Sequence, residues 1–288
     1  MLNHLSREAA TIWIVLATSL FVGASSAPQV KTHSGTVEGK DDGKVHAFLG
    51  IPYAAPPVGD LRWKPPAPAA KWSGVRKATE FGNHCMQGNV YGDMVFHDPG
   101  GSEDCLSLNV WVPARHSSAK LPVMVWIYGG GYAAGGTSEG RQDGSNLAQQ
   151  GVIVVSMNYR LGVFGFLVHP ELAKESGHNS AGNYGLLDQL AALHWVHDNI
   201  AAFDGDPANV TIFGESAGSF SVSAQMASPL SKGLFQKAIG ESGAAFPPSG
   251  LSFDPLSVRE EKDSKLVRRN SAEFSQSGYA KLFADKFG

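Results

Sequence analysis

The pentapeptide GESAG at residues 214–218 is the first stretch whose residue types and spacing could do chemistry. It follows a β-branched apolar run, VTIF at 210–213, and precedes residues 217–226, which read as a helix. Strand, sharp turn and helix in that order make a nucleophile elbow. Its two glycines permit a strained turn that lifts the Ser216 hydroxyl above a sheet, with a helix N-terminus beneath it. A serine attacking an acyl carbon also needs donors aimed at the oxyanion that develops. WIYGGGY at 126–132 leaves a second apolar run into three glycines, whose N–H groups a substrate can approach with no Cβ in the way. Together with the N–H of Ala217, those of Gly130 and Gly131 would form a three-donor hole. Acyl transfer through a serine is the chemistry this arrangement supports.

Two rival readings of the same residues fail on their context. Gly129, Gly131 and Ala134 formally match the dinucleotide pattern GxGxx[GA], which needs an acidic residue about twenty positions on, at the end of the next strand. The next apolar run ends at Met157 and Asn158, so no nucleotide cofactor is expected, and no metal site either. A second GES, in GESGA at 240–244, has alanine in the fifth place, and Ser242 is read as structural.

The elements that must position these groups are legible as apolar runs between turns. LNVWV (108–112), VMVWI (123–127) and VIVVSM (152–157) are β-branched and continuous, as strands buried on both faces would be. Residues 186–200 (LLDQLAALHWVHDNI) carry a helical apolar period that ends near Asn199 and Gly205. Strands alternating with helices predict a mostly parallel α/β sheet with helices on both faces. Before it, residues 30–49 alternate and turn at Gly35, Gly39 and Gly43, which predicts a small N-terminal antiparallel sheet. Six prolines between Pro52 and Pro68 make an extended segment in which helix is excluded.

Composition narrows the class further. The chain has 288 residues, 43% of them hydrophobic, enough for one large core. Its net charge is −3 with no basic stripe, which argues against a nucleic-acid partner. Arg7, the apolar run 12–22 and the small residues 23–27 form a secretory leader over residues 1–24, and the run is too short to span a bilayer. Export to the periplasm or the exterior follows, with no membrane association once the leader is removed. Cys85 and Cys105, the two cysteines present, would close a loop by a disulfide in that oxidising setting. Asn209 begins an N-x-T sequon, but its place at the mouth of a buried strand argues against glycosylation.

With these motifs in view, the chain resembles the type B carboxylesterases, the α/β-hydrolase family that includes the cholinesterases. The resemblance is carried by GIPYAAPPVGDLRW (50–63), EDCLSLNVWVP (103–113), VMVWIYGGGY (123–132), VVSMNYRLGVFGFL (154–167), the long segment 182–219 and GLFQKAIGESG (233–243). It implies an α/β-hydrolase domain whose N-terminal part occupies residues 25–250, acting on small-molecule carboxylic esters. By position it implies Ser216 as nucleophile, Gly130, Gly131 and Ala217 as oxyanion donors, and Glu215 as electrostatic support at the floor of the acyl site. It also implies the Cys85–Cys105 disulfide and the ion pairs Arg62–Glu103 and Arg160–Asp188.

The family's triad runs serine, acid, histidine along the chain. None of the ten histidines follows Ser216, and His194 and His197 read as one face of a helix. The expectation is therefore an N-terminal part truncated before the last strands, lacking the triad acid and base, inactive as it stands and with an apolar sheet edge left open. Residues 257–288 hold 12 charged residues, and 251–288 is read as a divergent charged tail. An esterase-like module that only binds a partner is the alternative; an intact Ser216 and glycine run argue against it, because binding alone needs neither.

Overall fold

A computed structural model describes residues 27–116 and 120–243. The segments expected to be a leader (1–24) and a divergent charged tail (251–288) lie outside the described residues.

Four strands come first: β1 (Gln29–Lys31), β2 (Thr36–Glu38), β3 (Lys40–Asp41) and β4 (Val45–Pro52). After the proline-rich stretch, which holds only a short turn of 3-10 helix at Gly59–Leu61, come β5 (Val75–Lys77), β6 (His84–Cys85) and β7 (Gly101–Ser102). The strands β8 (Ser107–Pro113), β9 (Leu121–Ile127), β10 (Ile153–Met157), β11 (Gly205–Glu215) and β12 (Lys237–Glu241) follow, with helices between them from β9 onward. These are α1 (Ser145–Ala148), α2 (Gly162–Phe166), α3 (Pro170–Glu175), α4 (Tyr184–Asn199) and α5 (Ala217–Ala227).

Seven strands form the central sheet in the order β12-β11-β9-β10-β8-β4-β3. The parallel pairing expected from the sequence holds from β12 to β10, where every pair is parallel. The other half, β10-β8-β4-β3, is antiparallel. The reason is the connections: among the described residues no helix longer than the 3-10 turn links β4, β8 and β9, and a parallel return needs a crossover. The small N-terminal sheet also differs from the expectation. β1 and β2 pair antiparallel, β5 joins β2 in parallel, and β3 with β4 belongs to the central sheet instead.

Side chains sort onto two unequal faces. Val123, Val125 and Ile127 of β9, Ile153 and Val155 of β10, and Val210 and Ile212 of β11 are fully buried beneath α4 and α5. The helices supply Ala192, Leu193, Val196 and Val222 to that core. Burying each such aliphatic side chain stabilises by about 1.5–3 kcal/mol. On the opposite face, α1 covers a smaller cluster of Val45, Leu49, Trp111 and Val154. Met124, Trp126, Thr211 and Phe213 point that way and are only half-buried. Of the three continuous runs expected to be buried on both faces, β8 and β10 are, whereas β9 is buried on one face only, and β11 alternates in the same way. Trp126 and Phe213, with ring centroids 4.8 Å apart, cover part of that thinner side themselves.

α4 starts at Tyr184, two residues earlier than its apolar period suggests, and Gly185 in its first turn packs against the Arg160 carbonyl. A 3-10 turn and Asp204 at φ 65° then reverse the chain into β11. That strand is eleven residues long, not four, since Gly205 pairs with Leu121 ahead of a bulge that restores register at Val210.

Candidate active site

At the C-terminal end of β11 the chain turns directly into α5, and the turn is Ser216. Its backbone sits at φ 54° and ψ −121°, a region that side-chain-bearing residues rarely enter and that costs on the order of 1–3 kcal/mol. The strain is held by two hydrogen bonds: the Ser216 N–H donates to the Glu241 carbonyl (2.9 Å), and the Ser216 carbonyl accepts from the Phe220 N–H (3.1 Å). The flanking glycines serve a different purpose from the one expected. Neither has a positive φ; both are needed for close approach. A Cβ on Gly218 would lie 2.0 Å from the Ile127 carbonyl oxygen, and one on Gly214 would lie 2.6 Å from the Gly218 carbonyl carbon. The strain is on the serine itself, and the glycines let the first turn of α5 lie against β9.

The second GES runs beside the first. Gly214 is in register with Gly240 and Glu215 with Glu241, and Ser242 repeats the φ of 54°. A Cβ on Gly240 would lie 2.5 Å from Ser219 Oγ and one on Gly243 would lie 2.8 Å from the Ser216 carbonyl oxygen. Ser219 also donates its hydroxyl proton to the Gly243 carbonyl. These glycines make room for the elbow, in keeping with a structural reading of this segment.

The glycine run leaves β9 and folds over the elbow. Gly129 is pressed on it, since a Cβ there would lie 2.5 Å from the Glu215 carbonyl oxygen and 3.0 Å from both Ser216 Cβ and Glu215 Oε2. The Glu215 carboxylate thus sits beneath the loop. Gly130 (φ 106°), Gly131 (φ 63°), Tyr132 (φ 59°) and Gly135 (φ 131°) turn the chain back, and the Gly130 carbonyl accepts from the N–H groups of both Ala133 (3.0 Å) and Ala134 (3.1 Å). Among the described residues, no hydrogen bond uses the N–H of Gly130, Gly131 or Ala217. Unpaired backbone donors on a loop packed against a strained serine are the parts an oxyanion site requires.

A cavity of about 340 Å³ adjoins this loop, walled in part by His84, Tyr91, Met94, Phe96 and Ala134. Tyr91 and Met94 reach the loop, their Oη and Cε each lying 3.6 Å from a Cβ built on Gly131 and Gly130 respectively. Sequence reasoning missed both residues, since nothing local in NVYGDMVF marks a wall that faces a loop forty residues later. It also missed Tyr132, whose ring packs on Phe166 (4.7 Å) and whose hydroxyl accepts from Ser221 (3.3 Å). Burial pushes that phenol above its ordinary range.

The supporting pairs form. Cys85 and Cys105 are disulfide-bonded with Cα atoms 5.0 Å apart. Arg62 grips Glu103 through Nε and Nη2, both at 2.6 Å. Asp188 is fully buried and accepts from Arg160 three times, from Nε (2.8 Å), Nη2 (2.7 Å) and the backbone N–H (3.0 Å). That pair ties α4 to the segment that follows β10. His194 and His197 are exposed on α4. His84 is held on two sides, its Nδ1 2.8 Å from the buried Asp98 carboxylate and its ring stacked on Phe96. Among the described residues no cluster of three or more potential metal ligands occurs, and no helix is long and apolar enough to cross a membrane.

Comparison with known proteins agrees with this architecture. The model of the carboxylesterase family matches residues 26–271. A fumonisin B1 esterase of Sphingopyxis macrogoltabida is 50% identical over 254 residues, which are 86% of this chain and 47% of that protein. A para-nitrobenzyl esterase of Bacillus subtilis is 52% identical over 218 residues, 75% of this chain and 44% of that protein. Among solved structures, a PNB esterase superposes with a TM-score of 0.70 at 51% identity, over 75% of this chain and 44% of that one. A Geobacillus stearothermophilus carboxylesterase gives 0.67 at 45% identity, over 75% and 43%. The chain therefore spans somewhat less than half the length of the relatives it matches. The strained serine, the glycine loop packed on it and a family match over most of the chain place this protein in the carboxylesterase family, with the α/β-hydrolase fold.

Proposed function

We propose that this chain supplies the nucleophile and the oxyanion donors of a carboxylic ester hydrolase. Ser216 attacks the ester carbonyl, the N–H groups of Gly130, Gly131 and Ala217 receive the charge on the carbonyl oxygen, and the alcohol leaves. Water then releases the acid from the acyl-serine. The single observation that carries this reading is the backbone of Ser216: a serine held at φ 54° against its own preference, beneath a glycine loop whose donors are unpaired. Glu215 contributes electrostatically from the floor, where its carboxylate lies next to Gly129. The substrate is a small ester, and the family match and the esterase names of the relatives support that class. The disulfide and the apolar leader support action outside the cytoplasm.

No histidine follows Ser216 within these 288 residues, so in the order serine, acid, histidine the base is not among them. Residues 1–288 alone are then expected to hydrolyse p-nitrophenyl acetate no better than their Ser216→Ala variant. The test joins residues 27–243 to the complementary C-terminal portion of the Bacillus subtilis relative. The joined protein should turn over p-nitrophenyl acetate, and Ser216→Ala should lower kcat by about 10⁴–10⁶. A folded chimera whose activity ignores Ser216→Ala would overturn the assignment.

A further inference from the structure

The glycine loop turns sharply with little hydrogen bonding of its own: four of its seven residues, 129–135, have positive φ, and within it only the Gly130 carbonyl accepts, from the N–H groups of Ala133 and Ala134. Its far end is nonetheless pinned. The Gln87 side-chain amide donates from Nε2 to the Gly135 carbonyl (2.7 Å), while Gln87 Oε1 accepts from the Gly135 N–H (2.8 Å). One side chain thus satisfies both backbone groups of a buried glycine, as a neighbouring strand would. Gly135 has no other way to dock: its φ is 131°, and a Cβ there would lie 2.5 Å from the Tyr128 ring and 2.8 Å from the Gly129 carbonyl oxygen. The same Nε2 also donates to the Cys85 carbonyl (3.1 Å). Cys85 is buried and bonded to Cys105 two residues before β8, so the clamp is anchored to the central sheet through a covalent link.

We propose that Gln87 is a positioning residue that fixes the glycine loop in the shape that leaves the Gly130 and Gly131 N–H groups free, and that the Cys85–Cys105 disulfide holds Gln87 in place to do so. The inference rests on reading those two N–H groups as oxyanion donors. Glutamine is the residue the geometry requires. It alone offers a donor and an acceptor in one planar group at this reach; glutamate keeps the acceptor and loses the donor, and methionine keeps the length and loses both.

Hydrogen–deuterium exchange of the full chain, read by peptide mass spectrometry, decides the matter without any turnover, so a failed esterase reading and a failed clamp are told apart. Losing two hydrogen bonds to a buried backbone corresponds to about ten- to hundredfold easier local opening. Gln87→Met should therefore raise exchange in residues 129–136 by about tenfold or more relative to β10, with Gln87→Glu intermediate. Asn199→Ala serves as a control for general destabilisation, because the buried Asn199 side chain bonds to the Trp195 carbonyl and the His33 N–H, away from the loop. It should raise exchange without singling out 129–136. Reducing the disulfide of the unaltered chain should reproduce the Gln87→Met pattern, and it reads the clamp even where the substitutions fail to fold. Exchange at 129–136 that stays in proportion to β10 in Gln87→Met, or after reduction, overturns the proposal.

Discussion

Replacing Gly218 by alanine sets two effects of opposite sign against each other. By helix propensity alone, glycine to alanine within α5 gains about 1 kcal/mol. The structure predicts a loss. The new Cβ would stand 2.0 Å from the Ile127 carbonyl oxygen, where a carbon–oxygen contact needs roughly 3.3 Å. Both partners are backbone, so relief requires the first turn of α5 to withdraw from β9 by more than about 1 Å, against packing as dense as a crystal's. Overpacking of this kind costs about 1–3 kcal/mol and more where nothing flexible can yield. Net of the propensity gain, a loss of about 2 kcal/mol is expected, equivalent to a fall in Tm of about 4–8 °C in a domain of this size. Gly214→Ala, with contacts of 2.6 and 2.7 Å, should lose somewhat less. Gly88→Ala meets no atom within 4 Å and has no positive φ, so it should be neutral or stabilise by up to about 1 kcal/mol. Thermal unfolding followed by tryptophan fluorescence ranks the three. A Gly218→Ala protein that melts at or above the parent temperature refutes the close approach of α5 to β9 on which the elbow depends.

Two further outcomes concern buried polar groups. Asp188→Ala leaves the Arg160 guanidinium, only 3% exposed, without its counter-charge, which should cost about 3–5 kcal/mol in urea unfolding. The apolar double variant Arg160→Met with Asp188→Leu should recover most of that, and an equal loss in both proteins would show that the charge is not the cause. Burial holds the phenols of Tyr53, Tyr128 and Tyr159 neutral well above the ordinary tyrosine range. A raised folded-state pKa means that the stability involved is whole below the unfolded value of about 10 and is lost as pH rises beyond it. In an alkaline titration followed at 295 nm these three of the seven tyrosines should stay silent until the chain unfolds cooperatively; a smooth, early titration of all seven would contradict their burial.

Much of the site was legible because its chemistry is local in the chain. GESAG announces an elbow through five consecutive residues between a strand and a helix, and GGG announces free backbone donors by lacking side chains. β10 and α4 were legible for a related reason: an unbroken apolar run marks the one and a helical apolar period the other, each written in its own residues. The sheet's direction was not, since whether β8 runs with or against β10 depends on the connections and the partners, not on LNVWV itself. Nor was the half-exposed face of β9 and β11, which follows from where α1 happens to lie.

By itself, then, the sequence determined which serine and which glycines are available and what reaction class they suit. Only the tertiary structure decided that the strain falls on Ser216 and not on its glycines, that Gly218 is glycine because of the Ile127 carbonyl ninety-one positions earlier, and that Gln87 fastens a loop forty-eight positions away. The physical reason is that propensity and patterning act between near neighbours in the chain. Close approach, hydrogen-bond satisfaction and burial act between near neighbours in space, and those are set only when the strands have found their order.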